Sequence, residues 1–195
     1  MTIENWFSVP VLYHDFTDVE LKLIQKEIKD AMPQINNMDL TNPWGDTVET
    51  SFKYNKECNI IKEYNLEYLN QAILNQADMF CESFKLSYEL RIKESWINIS
   101  KVGGFQFAHK HLPYLLSGVY YYNATEDDGS LQFLSPNPWH DERTYPFGFN
   151  KITYKPVTGR IIIFPSYLEH LVNVNNNDSK RISFSFNIES FGSSR

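Results

Sequence analysis

The sequence Arg181-Ile-Ser-Phe-Ser-Phe-Asn187 alternates polar and apolar side chains. Successive side chains of a β-strand point to opposite faces, so one face here carries Arg181, Ser183 and Ser185. The other face carries isoleucine and phenylalanine. This alternation predicts a strand with one face against an apolar core.

Short segments of strand character precede this one. They lie at residues 95–100, 105–109, 115–122, 131–134, 151–156, 159–164 and 171–174. Turn formers separate them, as in the acidic turn Glu126-Asp-Asp-Gly129. Short strands at this spacing predict an all-β barrel or sandwich. Residues 135–150 are rich in aromatic residues and predict a long loop, a type of segment that is often functional.

Two helices are predicted in the first half of the chain, packed on the outside of the β structure. Thr17-Asp-Val-Glu20 has the pattern of a capping box, and Pro33 is expected to end that helix. Asn65 is expected to be the N-cap of the second helix. Between them we expect irregular chain with a short strand within residues 48–54. The apolar face of the second helix comprises Leu66, Leu69, Ile73, Ala77 and Phe80.

Composition limits the class of protein. The chain has 195 residues, 42 % of them hydrophobic and 15 % aromatic, which excludes a disordered protein. We expect a single domain over residues 1–195, in which residues 1–87 support a β core formed by 88–190. The net charge of -6, without basic runs, argues against nucleic acid as a partner.

The cysteines and the apolar segments predict a cytoplasmic location. Cys58 and Cys81 form neither a zinc motif nor a disulfide framework, which suits a reducing compartment. The N-terminus shows no signal-peptide pattern. No apolar stretch is long enough to span a membrane, so no membrane partner is expected.

Three histidines predict a metal site. His109 and His111 are one residue apart, so on a strand both would point to the same face. His170 follows the buried strand at 159–164 and can approach from a neighbouring strand. Imidazole binds Fe, Zn, Cu and Ni, so the ligand type does not name the metal. A single histidine is more often an ordinary polar or core residue, but the three together favour a metal centre.

Arg181 and Ser183 predict a carboxylate-binding pair on one strand face. A guanidinium can hold a carboxylate through two parallel hydrogen bonds, and a hydroxyl can add a third. A metal site and a carboxylate clamp one strand apart suit a dicarboxylate that chelates the metal at its other end. 2-Oxoglutarate is such a compound.

In these stretches the sequence resembles the iron(II)/2-oxoglutarate-dependent oxygenases, in particular the small prolyl-hydroxylase-like members of bacteria and phages. The resemblance covers about residues 92–188. The matching pieces are His109-x-His111, Leu116-Ser-Gly-Val-Tyr-Tyr121, Gly129-Ser-Leu-Gln-Phe133, Gly159-Arg-Ile-Ile-Ile-Phe-Pro-Ser166, His170 and Arg181-Ile-Ser-Phe-Ser-Phe-Asn187.

The resemblance implies both a fold and an activity. The fold would be mainly β, a double-stranded β-helix (a cupin-like jelly roll) buttressed by the two N-terminal helices. The activity would be that of a dioxygenase, and more narrowly a hydroxylase, with Fe(II) and 2-oxoglutarate as cofactor and cosubstrate. Such an enzyme converts 2-oxoglutarate and O2 to succinate and CO2 while it oxidises a substrate. His109, His111 and His170 would hold the metal, and Arg181 and Ser183 the cosubstrate.

His111 departs from the pattern of the wider superfamily, which has Asp or Glu at this position. Three neutral imidazoles would leave the site one charge more positive, which should weaken Fe(II) binding and admit other metals, including zinc. Alternatively, His111 is not a ligand, and a water or a remote carboxylate completes the site.

Asn98 and Tyr120 are further candidates for contact with the cosubstrate. Asn98 lies on the strand before His109, where the superfamily often contacts the cosubstrate. Tyr120 lies on a strand whose cavity-facing side the sequence does not decide, since Tyr121 points the other way. His140 and Trp139, in the long loop, would line a substrate entrance, and His14 is expected to be structural.

Two other functions stay open. A cupin-like three-histidine dioxygenase would need iron and O2 but no cosubstrate, which suits the H-x-H pattern better and the Arg-x-Ser pair worse. A non-catalytic jelly-roll binding module would use the aromatic residues 136–154 as its surface. The substrate of an enzyme would be a small molecule or a protein side chain, and exposed aromatic residues would suit either a lid or the interface of a possible homodimer.

Overall fold

Two antiparallel sheets form the frame of the protein in a computed structural model that describes residues 2, 8–43, 47–53, 57–137 and 149–194. Within these residues there are ten strands and three helices. The six-stranded main sheet has the order β1-β8-β5-β10-β3-β2, and the four-stranded minor sheet has the order β4-β9-β6-β7. This arrangement is the double-stranded β-helix with flanking helices that the family resemblance implies.

The elements have the following bounds. The strands are β1 (Leu12–Asp15), β2 (Val48–Thr50), β3 (Ser87–Ser100), β4 (Gln106–His109), β5 (Leu116–Asn123), β6 (Leu131–Leu134), β7 (Lys151–Tyr154), β8 (Arg160–Pro165), β9 (His170–Val172) and β10 (Arg181–Ser194). The helices are α1 (Asp18–Ile35), α2 (Ile60–Glu63) and α3 (Glu67–Glu82).

The two faces of the main sheet have different surroundings. On β10, Ile182, Phe184 and Phe186 join the larger apolar cluster, which also contains the buried residues of α1 and α3. Arg181 and Ser183 point to the opposite face, towards the minor sheet. The alternation along this strand therefore separates a helix-covered core from the space between the sheets.

The N-terminal residues contribute more than support. β1 pairs with β8 at one edge of the main sheet, and β2 pairs with β3 at the other edge. Both strands lie outside the expected core of residues 88–190. β1 fits an edge position, since Pro10 before it lacks a backbone donor.

The start of α1 differs from the expected capping box. Thr17 is the N-cap and its backbone is extended, but its side chain makes no capping hydrogen bond. Asp18 has φ 49°, in the left-handed region, so the first turn is irregular and the hydroxyl is not placed over the free N–H groups. α1 also continues past Pro33 to Ile35, because a proline in the last turn removes only one hydrogen bond of the helix.

Asn65 ends α2 instead of starting α3. It has φ 50°, and the amides of Asn65 and Leu66 donate to the carbonyls of Lys62 and Ile61 at 3.3 and 2.9 Å. This is a Schellman motif, in which asparagine tolerates the left-handed conformation. The sequence does not indicate α2, because a single helical turn has too few residues to show a period.

Other differences concern ends and coverage. β3 begins at Ser87 and β10 continues to Ser194, so both strands are longer than predicted. His140 and Trp139 lie outside the residues that the structure describes. Among the described helices, none combines the length and apolar character needed to cross a membrane.

Candidate metal centre

His109, His111 and His170 converge at one end of the minor sheet. His109 ends β4, His170 begins β9, and the two residues are direct partners across this strand pair. Their ring centroids are 4.3 Å apart, and His111 lies 5.0 Å from His109 and 5.1 Å from His170. One ligand nitrogen from each of the three lies within 4.8 Å of the others, a spacing at which they could hold one metal ion.

Backbone carbonyls fix two of the imidazoles in the form that binds a metal. Nδ1 of His109 lies 2.7 Å from the carbonyl oxygen of Phe107, and Nδ1 of His170 lies 2.9 Å from that of Leu168. Since a carbonyl only accepts, each Nδ1 carries the proton and donates it. The Nε2 lone pair of each ring is therefore free for a metal.

His111 reaches the same point from outside a strand. β4 ends at His109, so the strand geometry that predicts a shared face does not extend to His111. The turn after β4 nevertheless brings the ring into the cluster, with Trp96 beside it at 5.6 Å between centroids.

All three histidines are held neutral. Burial and the neighbouring imidazoles lower the pKa of His111 to about 3, and burial together with His109 lowers that of His170 to about 4. Burial also lowers the pKa of His109. Neutral imidazole is the form that coordinates a metal.

A cavity of about 490 Å³ connects the histidines with the polar face of the main sheet. Its lining includes the three histidines, the predicted residues Asn98, Arg181 and Ser183, and aromatic side chains such as Trp96 and Phe52. The predicted metal ligands and the predicted carboxylate clamp thus share one cavity.

Arg181 is a buried cation without a carboxylate partner among the residues that the structure describes. Its side chain is 3 % exposed. Nη1 donates to the carbonyl oxygen of Gly129, while Nε has no partner. Asp128 lies nearby, but its oxygens accept from the amide of Thr125 at 2.8 Å and the hydroxyl of Ser179 at 3.3 Å. Burial lowers the pKa of Arg181, and a bound anion would offset this desolvation.

Polar side chains of β3 and β10 line the same cavity as this guanidinium. Asn98 and Ser183 are paired across the two strands, and both are at least nine-tenths buried. Nδ2 of Asn98 donates to Ser185 Oγ at 3.1 Å, while its Oδ1 has no partner among the described residues. These unsatisfied groups suit a polar ligand in the cavity.

The structure corrects the choice of tyrosine. Tyr120 lies in the helix-side core, fully buried, and its hydroxyl accepts a hydrogen bond from Gln25 Nε2 at 3.3 Å. It does not line the cavity, whereas Tyr121 does. Residues 120 and 121 are neighbours on β5, so they face opposite sides, and the sequence alone did not show which side is the cavity.

Other predicted residues lie elsewhere or were missed. His14 is on edge strand β1 and packs its ring on Phe16 at 4.8 Å, which suits a structural role. Gly129 was missed as an anchor for Arg181. A Cβ there would lie 2.1 Å from the carbonyl oxygen of Asn173, and the place of Gly129 at the end of the acidic turn is the sequence signal for a special position.

The donor set fits the metal and cosubstrate that the resemblance implies. Three neutral imidazoles, two of them fixed with Nε2 free, are suitable ligands for Fe(II). The buried guanidinium of Arg181, with an unpartnered Nε, is suited to a carboxylate. The histidines and Arg181 line the same cavity, so one molecule can contact the metal and the guanidinium at the same time.

Comparison with known proteins gives one family match. Residues 94–187, about half of the chain, match the model of a family described as 2OG-Fe(II) oxygenase. The match contains all three histidines, Asn98, Arg181 and Ser183. None of the curated protein sequences matches the chain.

Solved structures share the fold at low sequence identity. A prolyl-4-hydroxylase from Pseudomonas putida is 14 % identical with a TM-score of 0.63, over 95 % of this chain and 95 % of that one. HygX from Streptomyces hygroscopicus, crystallised with nickel and 2-oxoglutarate, is 11 % identical with a TM-score of 0.60, over 94 % of this chain and 84 % of that one.

The epimerase SnoN of nogalamycin biosynthesis is 11 % identical with a TM-score of 0.66, over 92 % of this chain and 77 % of that one. At such identities these structures support the fold alone. The family match, this fold and the histidine cluster all fit the 2OG-Fe(II) oxygenase superfamily.

Proposed function

We propose that this oxygenase is an Fe(II)- and 2-oxoglutarate-dependent dioxygenase that acts as a hydroxylase. One observation carries the proposal: three neutral histidines and a buried arginine without a carboxylate partner in the described residues line the same cavity. A molecule with a chelating end and a carboxylate end satisfies both, and 2-oxoglutarate has this form.

The roles of the side chains follow from their positions. His109, His111 and His170 would hold the iron through ring nitrogens. Arg181 and Ser183 would bind the far carboxylate of 2-oxoglutarate. Asn98 and Tyr121 line the same space and would contact the cosubstrate through an amide and a hydroxyl. Burial raises the pKa of Tyr121, so its hydroxyl keeps its proton and can donate it to a hydrogen bond.

The bound iron supplies the activation of O2, which organic side chains do not provide. In the overall reaction one oxygen atom enters succinate, the other enters the hydroxylated substrate, and CO2 is released. The chain's own part is to bind and orient. The guanidinium fixes one end of the cosubstrate, and the aromatic side chains of Trp96, Phe52 and Phe164 limit access of water.

The substrate is proposed only as a class, a small molecule or a protein side chain. Similar structures include a prolyl-4-hydroxylase and an epimerase, so proteins of this fold catalyse more than one kind of reaction.

The free thiols of Cys58 and Cys81 suit the cytoplasm. We further propose that residues 1–195 form one domain. A homodimer stays a prediction that light scattering would test.

A second candidate function rests on the metal ligands. The described cluster of possible ligands contains three histidines and no carboxylate, a set that also suits a dioxygenase without a cosubstrate. The buried Arg181 is the observation against it, since such an enzyme has no far carboxylate to bind. Formation of succinate from 2-oxoglutarate distinguishes the two.

Anaerobic titration tests the proposal directly. Fe(II) is added to the purified protein without oxygen, and 2-oxoglutarate is titrated while the visible spectrum is recorded. We expect a weak metal-to-ligand charge-transfer band that saturates with 2-oxoglutarate and is lost in His170→Ala. Iron binding without this band would favour the cosubstrate-free dioxygenase. Absence of iron binding would favour a non-catalytic binding module.

A further inference from the structure

Among the three histidines of the cluster, His111 has the fewest hydrogen bonds that fix the orientation of its imidazole. The imidazoles of His109 and His170 each donate to a backbone carbonyl, whereas that of His111 makes no hydrogen bond with any described residue. It also lies beyond the end of β4. Its position must therefore be set through its backbone and through packing.

The backbone of His111 is tied to Ser166. The amide of His111 donates to the carbonyl oxygen of Ser166 at 3.0 Å, and the amide of Ser166 donates to the carbonyl oxygen of Leu115 at 3.2 Å. The amide of Tyr114 donates to the carbonyl oxygen of His111 at 3.2 Å. Ser166 thus binds both ends of the turn that carries His111.

The side chain of Ser166 begins a chain of hydrogen bonds that runs inside the protein. Ser166 Oγ lies 2.7 Å from Ser117 Oγ, and Ser117 Oγ donates to Asn187 Oδ1 at 2.8 Å. Nδ2 of Asn187 donates to a carboxylate oxygen of Glu94 at 3.0 Å. Ser166, Ser117 and Asn187 are each at least 98 % buried. We call these three side chains the hydroxyl–amide chain.

The direction of every proton in the hydroxyl–amide chain is determined. The Glu94 carboxylate only accepts, which orients the Asn187 amide with its oxygen towards Ser117. The Ser117 hydroxyl then donates to that oxygen, so the Ser166 hydroxyl must donate to Ser117. Each member has one conformation that satisfies all its bonds, and removal of one leaves buried neighbours unpaired.

We infer that the hydroxyl–amide chain positions His111 for metal binding, with Ser117, Ser166 and Asn187 as positioning residues. The inference rests on the proposed metal site. Ser117 lies at the start of β5, Ser166 directly after β8 and Asn187 in the middle of β10, and the backbone of Ser166 holds the turn that carries His111. Outer partners that orient a metal ligand commonly change metal affinity by about 10- to 100-fold when they are removed.

Ser117→Ala is the main test, with Co(II) as the probe. The variant leaves the Ser166 hydroxyl and the Asn187 oxygen unpaired, so the turn that carries His111 should relax. We expect the affinity for Co(II) to fall by about tenfold or more. The visible absorption of bound Co(II), which reports the ligand geometry, should shift towards that of His111→Ala.

Ser95→Ala is the matched control. Ser95 is also fully buried on the main sheet, and its hydroxyl likewise donates one hydrogen bond, to Asn59 Oδ1 at 2.8 Å, and accepts one, from the amide of Ile61 at 3.0 Å. Neither partner belongs to the metal site. The two variants should lose similar stability, but only Ser117→Ala should alter the Co(II) affinity and spectrum.

A double-mutant cycle with His111→Ala separates positioning from general damage. If Ser117 acts through His111, Ser117→Ala should have little further effect on Co(II) affinity once His111 is gone. Additive losses, or equal effects of Ser95→Ala and Ser117→Ala, would overturn the inference. Should Ser117→Ala fail to fold, Ser166→Ala, which breaks one hydrogen bond of the chain where Ser117→Ala breaks two, is judged by the same cycle.

Failure of the metal site itself gives a different result. Co(II) affinity that is unchanged in His170→Ala and His111→Ala would contradict the proposed function. Loss of affinity in both of these variants, with no loss in Ser117→Ala or Ser166→Ala, would contradict only the positioning role.

Discussion

At the scale of single residues, Arg181 carries the most information about the ligand. A guanidinium that is 3 % exposed has lost most of its hydration, and one backbone carbonyl does not replace it. A bound carboxylate would supply the missing charge. Arg181→Met should therefore raise the dissociation constant of 2-oxoglutarate by about 100-fold, as expected when a charge-assisted hydrogen bond of roughly 3 kcal/mol is lost.

The metal affinity should stay the same in Arg181→Met, because none of the three histidines lies on β10. Calorimetric titration of both ligands checks this. Arg160→Met is the control, since Arg160 pairs with Asp15 at 2.6 Å at the edge of the main sheet and lies outside the cavity lining. Equal loss of 2-oxoglutarate binding in both variants would exclude a specific role for Arg181.

Adjacent tyrosines allow a second test at this scale. Tyr121→Phe should weaken 2-oxoglutarate binding several-fold, because Tyr121 lines the cavity. Tyr120→Phe should leave binding unchanged and lower the free energy of unfolding by about 1 kcal/mol, through loss of the bond from Gln25. Titration of 2-oxoglutarate and urea denaturation measure the two effects. The reverse pattern would place the cosubstrate on the other face of β5.

At the scale of elements, the sequence predicts the strands well and the turns poorly. The alternation in Arg181–Asn187 identifies the strand and the faces of its side chains, because a period of two is set by strand geometry alone. The side of the sheet that a given face meets is decided by distant packing, which explains the error at Tyr120. His111 was predicted near His109 by strand geometry, but a turn held by Ser166 places it.

Helix ends give a prediction at this scale. Thr17 makes no capping bond and is exposed, so Thr17→Ala should change the free energy of unfolding by less than about 0.5 kcal/mol. Asn59 caps α2, where its Oδ1 accepts from the amide of Lys62 at 3.1 Å and its Nδ2 donates to the carbonyl of Ile92 at 3.0 Å. Asn59→Ala should cost about 2 kcal/mol. Urea denaturation measures the free energy of unfolding of both variants. Equal losses would indicate that the Thr17 side chain caps α1 after all.

At the scale of the whole molecule, the site joins the two sheets. His109 and His170 belong to the minor sheet and Arg181 to the main sheet, so a ligand bound to both sides holds them together. The segment that resembles the family, 92–188, contains the three histidines, Arg181 and Ser183, while Phe52 of the cavity lining lies outside it. The sequence predicts a short strand within residues 48–54, but neither the edge position of β2 nor that of β1, because pairing with distant strands leaves no local pattern in the sequence.

Ligands that bind only the folded protein should raise its melting temperature. Ni(II) with 2-oxoglutarate, each at 100 times its dissociation constant, should add at least about 2.7 kcal/mol. For a chain of this length that is a rise of roughly 5 to 10 °C. Differential scanning fluorimetry measures the shift. Chelator should reverse it, His170→Ala should abolish it, and a shift that survives in His170→Ala would place the metal elsewhere.

The position of β10 in the main sheet has a consequence for folding during synthesis. β10 lies between β5 and β3, yet it is last in chain order among the described strands. During translation, β3 and β5 leave the ribosome before β10 is synthesised. The edges of β3 and β5 that pair with β10 therefore stay unpaired until then. When β10 inserts, it joins the halves of the sheet and delivers Arg181 and Ser183 to the cavity. The nascent chain therefore gains its carboxylate clamp only at the moment the sheet is completed.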